Sequence, residues 1–128
     1  MGRVLVVEDN ALVTDAMRVL IEAAGHEVET AATVAEAVSR CSASPPALML
    51  LDLTLPDGHG LDALARVMSG GCGPRITVAL TGHDDPAIAR RCRDAGCVEV
   101  LVKPVPAREL MSRLAEWLAD ADDPSPRA

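Results

Sequence analysis

A chain of 128 residues, 49% hydrophobic and 24% charged, is ordinary material for one folded domain and too apolar to be disordered. Its formal charge of −7 lacks the basic footprint of a direct nucleic-acid binder, and no apolar run approaches the roughly 18 residues that span a bilayer. The apolar residues between Arg3 and Glu8 are too few for a signal peptide, so a cytoplasmic protein with no membrane contact is expected.

Short apolar runs alternate with helical patterns five times, which predicts an α/β sheet with right-handed crossovers. The first strand spans residues 3 to 7. Asn10 caps a helix carrying Val13, Ala16, Met17, Leu20 and Ala24 at helical spacing, and Gly25 stops it. A short alternating stretch near His26 to Thr30 reads as an edge strand. Thr33-Val34-Ala35-Glu36 is a capping box for the second helix, which presents Val34, Ala37, Val38 and Cys41 until Ser44-Pro45-Pro46 breaks it.

The third strand, Leu48 to Leu51, leads into Asp52 and a Gly-containing loop expected to be mobile. A helix with Leu61, Leu64, Ala65 and Met68 on one side follows, and Gly70, Gly71, Gly73 and Pro74 end it. The fourth strand runs to Leu80. Asp84 or Asp85 caps the fourth helix, with Pro86 in its first turn and Ile88, Cys92 and Ala95 inward. Gly96 turns the chain into strand five. Pro106 opens the last helix, with Leu110, Leu114, Trp117 and Leu118 as its apolar face. The domain is expected to cover residues 1–120, and 121–128 to be a flexible tail or the start of a linker.

Polar residues end the apolar runs: Glu8 and Asp9 after strand one, Asp52 after strand three, Thr81 after strand four and Lys103 after strand five. Parallel strands bring their carboxyl ends to one sheet edge, where open α/β sheets bind ligands. Three carboxylates gathered there repel one another and call for a cation. Mg²⁺, a hard ion that takes a few carboxylates and a phosphate oxygen, answers that need. Glu8 and Asp9 are its anchors, directly or through water, with Asp52 and the backbone carbonyl of Thr54 as further ligands. A carboxylate can attack a phosphoryl group, and Asp52, after the most continuously apolar strand, is the favoured nucleophile. Mg²⁺, the Lys103 ammonium, and the Thr81 hydroxyl with a nearby amide would then hold the equatorial oxygens.

These residues carry a family likeness. From Arg3 to about Ala119 the chain resembles the receiver domain of two-component response regulators, through Val-Val-Glu8-Asp9-Asn10, Leu-Leu-Asp52-Leu-Thr-Leu-Pro56 with Gly60, Ala-Leu-Thr81-Gly82 and Val-Lys103-Pro104. The resemblance implies a flavodoxin-like, doubly wound five-stranded parallel sheet of order 2-1-3-4-5 with five helices. It implies Mg²⁺ on Glu8 and Asp9, with a phosphoryl group taken by Asp52 from a sensor histidine kinase or histidine phosphotransfer protein. It also implies phosphoryl contacts from Thr81, Gly82 and Lys103, and a cis Lys103-Pro104 bond. The downstream partner, unknown from sequence, would dock on the face of helix four, strand five and helix five. The chain departs from the family pattern at Val100, where a switch aromatic usually stands. It departs again at Val105, where Phe often follows Lys-Pro, at His59 before Gly60, and at Gly82, where Ala is common.

Taken singly, Glu8 and Asp9 would only cap the first helix and Thr81 would be a strand-end hydroxyl. Their coincidence with Asp52 and Lys103, the one lysine in the chain, reverses that reading. His26, His59 and His83 read as surface or local hydrogen-bonding residues, and Arg90, Arg91 and Arg93 as a solvated helix face or a docking face. Cys41, Cys72, Cys92 and Cys97 lack CxxC spacing and read as free, mostly buried thiols. Phe and Tyr are absent, so the core needs Leu, Val, Ile, Ala and Met, with Trp117 as its only aromatic.

A phosphorylation-controlled switch that is not a turnover enzyme leads this reading. The alternatives are a docking receiver that needs no phosphate and, further off, a haloacid dehalogenase-like phosphatase. The last uses a similar residue set but expects a second aspartate two residues after the nucleophile, where Thr54 stands. No DNA-binding or catalytic output region is legible. The receiver stands alone, or the stretch from Asp120 begins a linker.

Overall fold

A computed structural model describes residues 2–122. Its elements run β1 (Arg3–Val7), α1 (Ala11–Ala23), β2 (Glu27–Ala31), α2 (Val34–Ala43), β3 (Leu48–Asp52), β4 (Thr54–Leu55), β5 (Gly58–His59), α3 (Gly60–Ser69), β6 (Ile76–Thr81), α4 (Pro86–Asp94), β7 (Glu99–Val102) and α5 (Ala107–Asp122). The main sheet is parallel throughout, in the order β2-β1-β3-β6-β7. Counting only its five strands, this is the expected 2-1-3-4-5 order. β4 and β5 form a separate small antiparallel hairpin that the sequence did not reveal.

The period of two along each strand divides the core between the faces of the sheet. Leu5, Val7, Met49, Leu51 and Ala79 face α2 and α3, with Cys92 of α4. Val4, Val6, Leu48, Leu50, Ile76, Val78 and Leu80 face α1 and α5. All of β3 and β6 is buried, and apart from Asp52, Thr77 and Thr81 their side chains, among them Leu48, Met49, Leu50, Leu51, Ile76, Val78 and Leu80, are apolar. Each such side chain contributes about 1.5–3 kcal/mol on burial. The partly exposed pair between Arg40 of α2 and Glu29 of β2, at 3.7 Å, contributes under about 1 kcal/mol. Apolar burial therefore sets the sheet.

Three helix faces differ from expectation. α1 buries Thr14, Met17 and Ile21, while Ala16 and Ala24 are exposed. Thr14 is admitted because its hydroxyl donates to the Glu8 carbonyl at 3.2 Å. α3 buries Gly60, Ala63, Leu64 and Val67, leaving Ala65 outside and Met68 54% exposed. On α4 the capping acid is Asp85, and Ala95, expected inward, is exposed. Strand β2 starts one residue later than read, and it lies at the sheet edge as expected. Gly96, at φ 113°, turns the chain from α4 into β7 in a conformation that favours glycine. α5 continues to Asp122, two residues past the expected domain boundary, and buries Leu110, Leu114, Trp117 and Leu118. The rest of the expected tail, 123–128, lies outside the described residues.

Candidate functional site

Register carries the polar residues to one edge. Val7 pairs with Leu51, Asp52 with Leu80, and Thr81 with Val102. Glu8 is therefore one step past β1, Asp52 the last residue of β3, Thr81 the last of β6 and Lys103 one step past β7. The Glu8 amide prolongs the ladder by donating to the Ala31 carbonyl at 2.9 Å. Carboxylate oxygens of Glu8, Asp9 and Asp52 lie within 4.8 Å of one another. Glu8 and Asp52 are buried, while Asp9 is exposed at the rim.

Lys103 closes the group. Its Nζ lies 2.9 Å from Glu8 Oε2 and 3.2 Å from Asp52 Oδ2, and its amide donates to the Thr81 carbonyl at 2.7 Å. The Lys103–Pro104 peptide is cis. Burial raises the Glu8 carboxyl above its ordinary range, and neighbouring Asp52 adds to this against the pull of Lys103. For Lys103, burial alone would lower the ammonium, but the bond to Glu8 and the charge of Asp52 outweigh it and raise it overall. One ammonium thus faces three acids, and the oxygen-only donor set with surplus negative charge fits a hard divalent cation.

The loop after Asp52, expected to be mobile, is tied down. Thr54 pairs with His59 and Leu55 with Gly58. The Thr54 amide donates to Asp52 Oδ1 at 3.2 Å, and the Gly60 amide donates to the Leu53 carbonyl at 2.8 Å. Gly60 must lack a side chain, since a Cβ there would stand 2.2 Å from the Asp52 carbonyl oxygen. Asp57 reaches across to α2, where its two oxygens accept from the Val34 and Ala35 amides at 2.7 and 3.1 Å. Those bonds hold its carboxyl below the usual range. His59 Nδ1 accepts from the Leu61 amide at 3.1 Å and so caps α3.

The loop after β6 is barer. Thr81 is buried and its Oγ1 accepts from the His83 amide at 3.1 Å. Gly82 is exposed, and a Cβ there would meet nothing within 4 Å. Val100, at the position that lacks an aromatic, packs half-buried against the same core as Leu61 and Ile88. The four cysteines are free, and burial pushes Cys97 up to about 12 and Cys41 to about 11, which leaves these thiols unreactive.

The geometry therefore gathers Glu8, Asp9, Asp52 and Lys103, with Thr81 on the adjoining strand end and Thr54 beginning the loop. Asp57 and Thr14 were missed as supports of this edge, whereas His59 makes the local hydrogen bond that its reading allowed. The signal for Asp57 was its Pro-Asp-Gly setting, but its partners lie 23 and 22 residues earlier in the chain. A carboxylate beside a clamped amine, in a cation-fitting pocket, is equipped to accept a phosphoryl group.

Comparison with known proteins points the same way. The family model of the response regulator receiver domain matches residues 4–115. The acid tolerance regulatory protein ActR of Rhizobium meliloti is 30% identical over 120 residues, covering 94% of this chain and 61% of the relative. The transcriptional regulatory protein PhoP of Escherichia coli is 36% identical over 112 residues, covering 88% of this chain and 50% of that one. The chain thus spans about half to three fifths of the length of these relatives. Among solved structures, a CheY-like response regulator receiver domain protein from Methanospirillum hungatei superimposes with a TM-score of 0.84 at 28% identity, covering 95% of this chain and 97% of its own. Among the described residues no helix is long and apolar enough to cross a membrane.

Proposed function

Because the chain belongs to the response regulator receiver domain family, we propose that it is a phosphorylation-controlled signalling switch whose acceptor is Asp52. One observation carries the reading: the Lys103 ammonium bridges Glu8 and Asp52 at 2.9 and 3.2 Å, beside three carboxylates that converge within 4.8 Å. Glu8, Asp9, Asp52 and the Thr54 carbonyl would hold Mg²⁺. When bound, the ion neutralises negative charge on an equatorial phosphoryl oxygen.

The chain's own groups do the rest. An Asp52 oxygen forms a new P–O bond as the P–N bond to the donor's phosphohistidine breaks and the imidazole leaves with the bonding pair, and Lys103 holds the Asp52 orientation now and takes a phosphoryl oxygen afterwards. The Thr81 hydroxyl, released from the His83 amide, takes another with the Gly82 amide beside it. The phosphodonor is a histidine kinase or histidine phosphotransfer protein in the cytoplasm. The signal leaves by protein contact on the α4–β7–α5 face, where Arg90 and Arg93 are exposed. With Val100 in the switch position, it leaves without an aromatic flip.

A small phosphodonor with Mg²⁺ labels the wild-type chain, and Asp52→Asn abolishes the label; label persisting in the variant defeats the assignment. The docking alternative, favoured only by Val100 and Val105, requires that beryllofluoride leave the amide spectrum unchanged. The phosphatase alternative has no support in the family match.

A further inference from the structure

The hairpin of β4 and β5 is too small to hold itself. It has two residue pairs, Thr54 with His59 and Leu55 with Gly58, and an isolated two-stranded ribbon is marginal in water. Its turn works against it as well. The linking residues are Pro56 and Asp57, and the primed turns that match strand twist need a positive φ at the first of them. The proline ring fixes that angle at about −65°, so those turns are closed to it.

Something outside the hairpin must therefore fasten it. Asp57 lies at its tip and is exposed, yet both carboxylate oxygens are committed, to the Val34 amide at 2.7 Å and the Ala35 amide at 3.1 Å. The first turn of a helix leaves such amides without an intrahelical partner, and a carboxylate there is favoured by charge as well as by hydrogen bonding. Thr33 caps the same helix separately, its hydroxyl accepting from the Glu36 amide at 3.0 Å. The tip of the hairpin is thus bolted to α2, and its base is closed by the Gly60 amide on the Leu53 carbonyl at 2.8 Å. Between these two points lies Thr54, whose amide donates to Asp52 Oδ1 at 3.2 Å while the Lys103 ammonium holds Oδ2 at 3.2 Å.

Resting on the reading of Asp52 as phosphoacceptor, we propose that Asp57 is a positioning residue for the cation site, acting through Thr54 and not on the ion. By pinning the hairpin to α2 it fixes Thr54. That residue sets the direction of its own carbonyl, a ligand in that reading, and through its amide the carboxylate plane of Asp52. Metal affinity depends steeply on such outer supports, because ordering a loose ligand on binding offsets part of the gain.

Asp57→Ala and Thr33→Ala form the test pair, since both weaken the start of α2 and only the first frees the hairpin. Asp57 is exposed, so its truncation spares the core. Amide exchange in the metal-free chain reads the loop directly. Thr54 and Gly60 are expected to exchange faster in Asp57→Ala and at the wild-type rate in Thr33→Ala. In a Mg²⁺ titration followed by amide spectra, Asp57→Ala is expected to raise the Kd about tenfold, the lower end for a lost outer support. Thr33→Ala should leave the Kd unchanged, and Asp57→Asn, which keeps one acceptor oxygen, should recover part of the loss. A wild-type Kd in Asp57→Ala, or an equal loss in Thr33→Ala, overturns the positioning role and leaves the acceptor assignment standing. A wild-type chain that neither binds Mg²⁺ nor takes label from a small phosphodonor overturns the acceptor assignment, and the positioning role with it.

Discussion

Between β3 and α3 the chain is held by a two-step ladder, by Asp57 on α2, by His59 on α3 and by the seat of Gly60 on the Asp52 carbonyl. Between β6 and α4 the described side-chain bonds are those joining Thr81 to His83 and Asp85 to the Ala87 amide. The helix that follows buries only Cys92 fully, with Ile88 and Ala89 half-buried. One wall of the site is thus fixed to two helices, while the other rests on few buried contacts and can rearrange at small cost. Chemistry needs the first property, because acid placement must survive each cycle. Signalling needs the second, because a change at Thr81 has to move something.

Glycine substitution breaks this comparison most sharply. Gly60→Ala drives a Cβ against the Asp52 carbonyl backbone and is expected to cost more than about 3 kcal/mol, beyond usual overpacking. Gly82→Ala meets open space and is expected to fall within about 0.5 kcal/mol of wild type. Urea denaturation of the two variants measures the gap, and equal losses would mean that the two loops are held alike.

Next in size is Lys103→Met, which removes the ammonium and leaves Glu8 facing Asp52. A loss of about 2 kcal/mol is expected, below the full cost of breaking a buried pair because the Lys103 side chain is 26% exposed. Mg²⁺ should restore more stability to this variant than it adds to wild type, since the ion replaces the missing positive charge. Thermal melts with and without Mg²⁺ check both points. The Lys103 contribution is full below its ordinary value of 10.5 and fades only as pH rises beyond it, because its folded value is raised.

Smallest is Asp57→Ala, which frees the α2 end of the tie and should lower the urea midpoint modestly at neutral pH. The folded Asp57 carboxyl lies below its ordinary 3.8, so its contribution is full above that value and fades as pH falls through it. Wild-type and Asp57→Ala midpoints should therefore converge in acid. A gap independent of pH would assign the loss to packing instead of to the bonds on Val34 and Ala35.

The firmly held wall was also the harder one to read. Strands β1, β3 and β6 were legible because runs such as Val4 to Val7 and Leu48 to Leu51 admit little else, and their ends fixed the acid edge. The phase of α1 and α3 was less legible, since alanines such as Ala16 and Ala65 fit either face of a helix and Thr14 enters the core only through its bond to Glu8. Asp57 looked like a turn residue because turn chemistry is local, whereas its partners come from an earlier helix. His59, read as a surface or local hydrogen-bonding residue, does bond locally, its ring accepting from the Leu61 amide of α3.

The lone indole has an optical consequence. Arg113 stacks over the Trp117 ring at 5.4 Å while also bonding to Glu99 on β7. With no tyrosine or phenylalanine elsewhere, near-ultraviolet emission from this molecule has a single origin, and that origin is wired by one guanidinium to an edge strand of the sheet.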